Sequence, residues 1–559
     1  MKEIITGRLA KRADGRAINE LGIPSLKLMD SAAEAAAETA IEAADKIKEE
    51  TGISDVRIRV FSGAGNNGAD GVLCAVKLIK AGYNDTEVYF CGKEEKQSDE
   101  FKIQKEALLS GGKHLHDFRE LCHKKHDGYE SADIVIDALF GIGLTREVTG
   151  DFADCIEVMN LEKSGGAFII SVDVPSGINS DTGENMCRLP VKADITVTFG
   201  YAKTGFYMGY GYGNCGEIRV KDIGYPENVL PEDEEFLSDI LYMQEDSDIS
   251  CMRLYERDVR ANKSDYGKLV IAAGSEGMAG AAFFSGLAAF KAGAGMVKYL
   301  GPEENRCILQ TLLPEAMYDS VGTAFVNKTE NEVDISRTSG EILCKKTDAS
   351  IAWAGRRGCV ILGPGLGRSE YAKNLTETII KKLCEHNKEA LKGKKHTVYL
   401  VADGDALNII SEKKELLNLL KGYAVLTPHI GEMSRLTGKS TEEIKRDPVG
   451  ISRKFFNDTG INIILKDSVS VIPGKNNKTY INTSGSAALA KAGSGDVLTG
   501  ILGALIMRQG FSEETIAAAA YIHGRAGVKA AEKYGLNGTL ARDIAGAVPC
   551  AVDSCGRAE

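Results

Sequence analysis

The segment KAGSGDVLTG at residues 491–500 combines residue types that could do chemistry. Small residues let a backbone approach a ligand closely, and the N-terminus of the apolar helix that follows would present free N–H groups to an anion. A carboxylate at Asp496 should repel that anion unless its task is to remove a proton. A capped core helix is the alternative, but Ser494 alone would supply the cap. Two glycines together with an acid therefore favour a base beside an anion site.

A second glycine-rich loop, GAGNNG at residues 63–68, lies between a strand pattern and a helical pattern. Its spacing, with Glu87 about 20 residues downstream, is that of a dinucleotide fold. Asp70, in the first turn of the predicted helix, would repel a bound pyrophosphate, whereas the amide oxygens of Asn66 and Asn67 suit a hard cation. A plain turn with Asn and Asp as helix caps explains the same residues equally well.

Two further acids end buried strand patterns in the same half of the chain. Asp137 opens the segment DALFGIGL, and Asp173 opens DVPSG. Ligands of open α/β sheets gather at the carboxyl ends of the strands. Three acids at one sheet edge need a cation, a proton or a polar substrate, so we expect a ligand site there.

Alternating strand and helix patterns must position these residues. Short apolar runs separated by helical patterns predict a mostly parallel sheet, covered on both faces, in each half of the chain. The predicted strands lie at residues 56–61, 87–90, 134–136, 168–172 and 195–199, then at 268–273, 359–362, 398–401, 424–426 and 461–465, with two closing helices at 496–508 and 512–533. Proline and clustered acids predict a linker at residues 229–248. We therefore expect an α/β protein of two domains, 1–228 and 249–559.

Composition narrows the class of protein. The 559 residues are 43% hydrophobic with a net charge of −11, which argues against a sequence-independent nucleic-acid binder with a basic face. The sequence contains no run of about 18 apolar residues, so we expect no membrane span, and the N-terminus lacks the apolar core of a signal peptide. The 13 cysteines form no Cys-x-x-Cys pair, which indicates free thiols in a reducing compartment. We expect a cytoplasmic homo-oligomer without membrane or nucleic-acid partners.

The N-terminal motifs resemble those of the NAD(P)H-hydrate epimerase family. Asn-Asn-Gly-x-Asp, Asp-x-Leu-Phe-Gly-x-Gly and Asp-x-Pro-Ser-Gly follow AINELGIPSLKLM in the family's order, and the resemblance spans residues 10–225. It implies a Rossmann-like three-layer αβα domain that interconverts the R and S forms of hydrated NADH and NADPH (NADHX and NADPHX). It also implies a potassium ion held by Asn67, Asp137 and Ser176. Substrate contacts are implied for Asn66, Asn67, Gly68, Ala69, Asp70, Gly141, Ile142, Gly143, Leu144, Thr145, Arg146, Glu147 and Asp173.

Roles within this set follow from the same resemblance. Asp173 is the candidate acid/base group. Lys203 is a weaker second candidate, because a solvated loop lysine explains its position better. Ala69 stands where the family usually has a glycine, and alanine would be strained if that position needs a positive φ.

The motifs of the second half resemble the ADP-dependent NAD(P)H-hydrate dehydratase family, whose fold is ribokinase-like. The resemblance spans residues 250–555 and rests on GPGLG, DGDALN, TPHIGE, LKDSVS and KAGSGD. It implies that Asp496 takes the proton of a substrate hydroxyl while the helix N-terminus stabilises the transferred phosphoryl group. An ADP site is implied at Lys466, Asp467, Ser468, Val469, Ser470 and Gly495, and hydrate contacts are implied at Ala281, Gly365, His429 and Asp496.

The chemistry implied by this resemblance is a dehydration. Phosphorylating the hydrate's hydroxyl from ADP makes a good leaving group, and elimination then restores the dihydronicotinamide and releases AMP and phosphate. Magnesium is expected with the nucleotide, without an all-protein site. Departures from the family are NKSD at 262–265, which leaves a nearby substrate or phosphate contact in doubt, and Ser494. Taken alone, His429 would be a helix N-terminal residue and Lys466 a surface lysine.

Other interpretations stay open. A vitamin or sugar kinase fused to a regulatory domain shares the Gly-x-Gly-Asp logic but consumes ATP and keeps a phosphorylated product. A non-catalytic nucleotide-binding module is the alternative for the N-terminal half, and the choice between ADP and ATP is also open. The histidines of HLH (114–116) and HKKH (123–126), beside Cys122, could hold a structural metal, but their charged neighbours favour a solvated surface.

Overall fold

The computed structural model describes residues 1–124, 130–231, 233–322 and 332–556. They form two compact units, Glu3–Leu241 and Tyr242–Glu559, the second of which includes Met1–Lys2. Each unit contains its own seven-stranded parallel sheet.

The first unit alternates strands with helices. Its strands are β1 (Lys2–Ile5), β2 (Ile58–Ser62), β3 (Thr86–Phe90), β4 (Leu115–Asp117), β5 (Ile134–Ala138), β6 (Phe168–Val172), β7 (Ile195–Phe199), β8 (Ala202–Lys203) and β9 (Glu217–Lys221). Its helices are α1 (Gly7–Asn19), α2 (Ser25–Thr51), α3 (Asn66–Lys80), α4 (Asp99–Ser110), α5 (Arg119–Lys124), α6 (Asp151–Ser164) and α7 (Gly211–Asn214). The parallel sheet has the order β4-β3-β2-β5-β6-β7-β9, and β1 pairs with β8.

Successive residues of the central strands face opposite layers of helices. Val60 of β2 pairs in register with Ile136 of β5, and both pack in a core with α2 and α3. Phe61 and Val135, one position away, pack in a second core with α6. The sheet is therefore covered on both faces, and the carboxyl ends of its strands meet at one edge.

The second unit repeats this architecture with longer helices. Its strands are β10 (Ile240–Met243), β11 (Lys268–Ala272), β12 (Met296–Gly301), β13 (Met317–Ser320), β14 (Gly358–Leu362), β15 (Val398–Ala402), β16 (Ala424–Leu426), β17 (Asn462–Ile463), β18 (Ser470–Pro473) and β19 (Thr479–Asn482). Its helices are α8 (Asp246–Cys251), α9 (Ala279–Lys291), α10 (Arg306–Leu312), α11 (Glu332–Ala354), α12 (Glu370–Leu391), α13 (Asp405–Glu412), α14 (Ile430–Thr437), α15 (Thr441–Arg446), α16 (Pro448–Thr459), α17 (Ser494–Gln509), α18 (Glu513–Tyr534) and α19 (Ala541–Gly556).

The second parallel sheet lies between two groups of helices. Its order is β13-β12-β11-β14-β15-β16-β17, and β18 pairs antiparallel with β19 beside it. Leu269 and Ile361 pack with α9, α17, α18 and α19 in one core. Helices α11 and α12 contact strands of the same sheet. Side chains alternate along each strand, so these contacts belong to its other face.

These observations confirm the predicted α/β class with two three-layer units. The strands expected at 168–172, 195–199 and 424–426 have the predicted bounds. The segment 229–248 contains a 3₁₀ helix (Glu234–Asp239), β10 and the first residues of α8. Helix α19 follows the two predicted closing helices. Within the described ranges, no helix is long and apolar enough to span a bilayer.

Candidate active sites

A cavity of about 550 Å³ opens at the carboxyl ends of β2, β5, β6 and β7 in the first unit. Among the predicted substrate contacts, its lining contains Asn66, Asn67, Gly68, Asp70, Gly141, Ile142, Gly143, Leu144 and Asp173. The remaining predicted contacts are not part of the lining: Ala69 is buried in α3, and Thr145, Arg146 and Glu147 are exposed. Most of the predicted set thus meets in one cavity.

The glycine-rich loop turns directly into α3. The helix begins at Asn66, Gly65 precedes it, and no side chain caps it, so the turn-and-cap interpretation of the asparagines is wrong. Asp70 lies beyond the first helical turn rather than within it. A Cβ on Gly68 would lie 1.9 Å from the carbonyl oxygen of Gly63, so this position requires glycine. Ala69 has ordinary helical backbone, so the departure from the family brings no strain.

Asp173 and Lys203 form an ion pair in the cavity wall. Lys203 Nζ lies 2.7 Å from Asp173 Oδ1 and donates to Thr198 Oγ1 at 2.7 Å. The lysine side chain is only 3% exposed, which shows that the solvated-lysine interpretation is wrong. Asp173 has a φ of 65°, in the left-handed region that few residues other than glycine adopt. The backbone N–H of Ile142 donates to its second oxygen at 3.3 Å.

Two residues that the sequence did not single out, Asp14 and Tyr225, also line this cavity. Tyr225 donates a hydrogen bond to Asp14 Oδ1, across 211 residues of sequence. Burial raises the pKa of Asp14, an effect opposed by the Tyr225 hydrogen bond and reinforced by the charge of Asp173. Burial also raises the pKa of Asp70 well above its usual value, with Asp173 and Asp14 adding to the shift. In the sequence, a buried acid on a helix cannot be distinguished from a solvent-exposed one.

The residues that the resemblance implies for potassium are close together. Ser176 Oγ donates to Asp137 Oδ1 at 2.6 Å and accepts from the N–H of Phe140 at 3.0 Å. Asn67 Nδ2 donates to the Phe140 carbonyl at 2.9 Å, while Asn67 Oδ1 is buried without a hydrogen-bond partner. A buried oxygen without a hydrogen-bond partner is one that a hard cation could bind.

The opening segment of the second site forms the start of α17. The helix begins at Ser494 after Gly493, whose φ is 91°, and no side chain caps it. The expectation that Ser494 supplies the cap is therefore wrong, because its hydroxyl instead hydrogen-bonds His523 Nε2 at 3.1 Å. Asp496 lies in the first turn. Burial raises the pKa of Asp496 to about 7, with Asp403 adding to the shift.

A buried ion pair lies beside this helix start. Lys466 Nζ is 2.7 Å from Asp403 Oδ1, and Thr427 Oγ1 donates to the same oxygen at 2.6 Å. A Cβ on Gly495 would lie 3.4 Å from both Asp403 Oδ2 and Lys466 Nζ, so the helix start contacts the pair. Burial would lower the pKa of Lys466, but the charges of Asp403 and Glu432 outweigh it and the pKa is raised. Lys466 is thus a partly buried cation and not a surface lysine.

His429 has the helix-terminal place that its sequence context suggested. It is the N-cap of α14, where the N–H of Gly431 donates to His429 Nδ1 at 3.0 Å and Glu432 accepts from the His429 N–H at 2.9 Å. Burial lowers the pKa of His429, and Lys466 and Arg435 lower it further. Burial raises the pKa of Glu432 to about 7. Together with Asp496, Glu432 is thus a second carboxyl group in this unit with a pKa near 7, and the sequence analysis did not select it.

The remaining predicted residues lie in helix α9, in loops and at the start of β18. A Cβ on Gly365, whose φ is 58°, would lie 2.7 Å from the Cβ of Ala281, so these two predicted hydrate contacts adjoin each other. Asp467 and Ser468 are exposed, Val469 is buried, and Ser470 begins β18. The NKSD segment precedes the amino end of β11, whereas Gly274 follows its carboxyl end. This departure therefore lies at the end of the strand opposite to the predicted site.

No group of three or more His, Cys, Asp or Glu side chains within the described ranges is arranged to hold a metal ion. His114 and His116 have ring centroids 6.2 Å apart. Their proposed partners, the side chains of Cys122 and His123 and the whole of His126, lie outside the described residues.

Comparison with known proteins identifies both halves. Residues 25–205 match the family described as YjeF-related protein N-terminus, and residues 269–549 match the NAD(P)H-hydrate dehydratase family. The bifunctional NAD(P)H-hydrate repair enzyme Nnr of Dictyoglomus turgidum is 31% identical over 568 residues, which cover 99% of this chain and 98% of the relative. The protein of the same name from Thermofilum pendens is also 31% identical, covering 88% of this chain and 87% of the relative.

One solved structure similar to this chain is the ADP/ATP-dependent NAD(P)H-hydrate dehydratase of Bacillus subtilis, co-crystallised with ATP/Mg2+. It is 21% identical with a TM-score of 0.44, and the match covers 56% of this chain and 99% of that one. The full-length relatives carry the assignment: the chain belongs to the family of bifunctional NAD(P)H-hydrate repair enzymes.

Proposed function

We propose that this protein repairs hydrated NADH and NADPH by two activities on one chain. Residues 1–228 interconvert the R and S forms, residues 249–559 dehydrate the S form with ADP, and residues 229–248 link the two. The observation that carries the proposal is the start of α17, where Asp496 and free backbone N–H groups lie beside the Lys466–Asp403 pair.

The dehydration begins with the transfer of a phosphoryl group to the substrate's hydroxyl. A base whose pKa is near 7 is half ionised at neutral pH, so Asp496 is suited to take the hydroxyl proton. The N–H groups at the start of α17 and the ammonium of Lys466 stabilise the charge of the transferred group. The C–O bond to phosphate then breaks and the neighbouring ring carbon loses a proton to water, which restores the ring double bond. Magnesium would bind mainly through the nucleotide's phosphates and supply charge neutralisation.

The other proposed contacts of this site have matching chemistry. Lys466, Asp467, Ser468, Val469, Ser470 and Gly495 would hold the nucleotide, and Ala281, Gly365 and His429 the hydrate. Because His429 Nδ1 accepts a backbone N–H, the neutral ring carries its proton on Nε2. We therefore assign His429 the role of a hydrogen-bond donor rather than a base.

The epimerisation is assigned to the cavity of the first unit. Asp173 is the proposed acid/base group, and Lys203 balances its charge and fixes its position. Asn67, Asp137 and Ser176 would hold potassium, which supplies a fixed positive charge beside the substrate loops. A bound potassium ion would pair with Asn67 Oδ1, which is buried and has no hydrogen-bond partner. We also propose that the protein is a homo-oligomer, which light scattering after gel filtration tests directly.

The test gives the purified protein an R/S mixture of NADH hydrate with ADP or ATP and follows recovery of dihydronicotinamide absorbance. Full recovery is expected with the wild type. Asp496→Asn should be inactive, and Asp173→Asn should stall after the S form has been consumed, with the R form then used only at the rate of protein-free epimerisation. Absence of recovery with either nucleotide would refute the dehydratase assignment and favour a kinase.

A further inference from the structure

The cavity of the first unit holds more acid than its paired lysine can neutralise. Asp14, Asp70 and Asp173 line it from three different elements, and Lys203 is paired with Asp173. The other charged or titratable lining residues are Lys96, Glu100, Tyr201 and Tyr225. Carboxylates that share one cavity disfavour each other's ionisation. The shared cavity therefore favours the protonated form of the two aspartates that are not paired with Lys203.

Asp14 is held in place as a proton donor would be. It lies on α1 between the buried residues Ala13 and Ala17, which fix this face of the helix. Tyr225 donates to Asp14 Oδ1, and among the described residues no other hydrogen bond reaches this carboxyl group. The second carboxyl oxygen is therefore free to carry a proton. Asp173 differs, because one of its oxygens is paired with Lys203 and the other accepts a hydrogen bond from the Ile142 N–H.

Two carboxyl groups in opposite protonation states are what inversion of a hydroxyl-bearing carbon requires. Resting on the proposed epimerase function, we propose that Asp14 is the second acid/base residue of this site and the partner of Asp173. The Asp14 proton passes to the substrate hydroxyl, and the C–O bond breaks with its electron pair on the departing water. The lone pair of the adjacent ring nitrogen forms a C=N bond. Water then adds to the other face of that carbon, and its proton passes to Asp173.

The full chain provides an assay in which the two activities separate. With ADP and an R/S mixture, the S form is consumed in a burst, and the R form follows in a slow phase limited by epimerisation. The slow phase of Asp14→Asn is expected to fall at least 100-fold, or to the protein-free rate, while the burst is unchanged. A wild-type slow phase no faster than protein-free epimerisation would refute the proposed function itself. A normal slow phase in Asp14→Asn would refute only the role of Asp14.

The matched control is a second tyrosine–aspartate pair. Tyr83 donates to Asp45 Oδ1 at 2.6 Å, and neither residue lines the cavity. Asp45→Asn should therefore leave both phases intact. If Asp45→Asn slows epimerisation as much as Asp14→Asn, the effect of the latter is structural and the proposal fails.

A pH profile separates an acid from a positioning residue. An acid works in its protonated form, so the wild-type slow phase should decline as pH rises through the pKa of Asp14. Asp14→Asn should lose that decline, and Tyr225→Phe should move it to higher pH because the hydrogen bond lowers the pKa of Asp14. If Asp70→Asn, and not Asp14→Asn, removes the decline, Asp70 is the donor and the assignment to Asp14 is overturned.

Isotope labelling tests the water-exchange step. In ¹⁸O water, phosphate from the burst should be unlabelled, because its bridging oxygen comes from the original hydroxyl. Phosphate from the slow phase should carry one ¹⁸O, because inversion replaces that hydroxyl with solvent water. Unlabelled phosphate in the slow phase would overturn the step.

Discussion

Replacing Asp496 with asparagine should stabilise the second unit above pH 7 while abolishing dehydration. The folded protein raises the pKa of this carboxyl from its ordinary 3.8 to about 7. Between these values the folded chain keeps a proton that the unfolded chain has released, so stability falls as pH rises through this window. At about 1.36 kcal/mol per pKa unit, ionised Asp496 lowers the free energy of unfolding by up to about 4 kcal/mol above pH 7.

The single tryptophan makes the measurement specific. Trp353 lies in α11 of the second unit, so its fluorescence in a urea titration reports the unfolding of that unit. The difference in free energy of unfolding between Asp496→Asn and wild type should increase by a few kcal/mol between pH 5 and pH 8. Asp553→Asn, an exposed aspartate in the same unit, should show no such increase. An equal difference at both pH values would refute the argument that burial holds the pKa of Asp496 high.

Three further predictions follow from the same contacts. Gly68→Ala should remove the epimerase slow phase because its Cβ would collide with a backbone carbonyl, whereas Gly65→Ala, which has no atom within 4 Å of its added Cβ, should retain that phase in the same assay. Lys203→Gln should leave the largely buried Asp173 charge unpaired and lower the free energy of unfolding of the first unit by about 3 kcal/mol or more. Urea unfolding monitored by circular dichroism measures this loss. Burial lowers the pKa of His523 from 6.5 to about 4. The free energy of unfolding should therefore fall by about 3 kcal/mol as pH falls through that window, because only the unfolded chain takes up the proton. The His523→Gln variant should show a flatter stability profile in tryptophan fluorescence, and an unchanged profile would contradict the assignment.

The strands that position the sites were predictable because they are buried on both faces. The runs FIISV at 168–172 and ITVTF at 195–199 combine apolar residues with Ser or Thr and contain no charged residue, a pattern that can be recognised without knowledge of neighbouring strands. β9 (Glu217–Lys221) was not predicted, because a partly exposed edge strand carries charged residues and looks like a loop. Helix α11 was not predicted for a related reason, because its apolar residues do not recur at a spacing that gives the helix a strongly apolar face.

The loops at the strand ends were also predictable, but the pairs that set their chemistry were not. Glycines and acids in a fixed order mark the loop that contains Asp173 and the helix start that contains Asp496. The ion pairs at these acids join distant parts of the chain: Asp173 pairs with Lys203 of β8, and the pair beside Asp496 joins Asp403 to Lys466, 63 residues later. Protonation depends on burial and on such partners. Asp14 and Glu432 therefore became recognisable only once the fold brought charges together.

The left-handed backbone at Asp173 limits what mutational scanning of this position can reveal. Glycine at 173 would relax the backbone by about 1 kcal/mol, but it would leave the buried Lys203 ammonium unpaired at a cost of about 3 kcal/mol or more, so a screen for abundance would rank glycine below the native residue. Alanine would keep the strain and also remove the ion pair, which mixes two effects. Asparagine adopts this conformation nearly as readily as aspartate and preserves the side-chain shape. A selection on growth and a selection on abundance should therefore both rank glycine below aspartate at position 173, so lost growth alone does not demonstrate lost chemistry there.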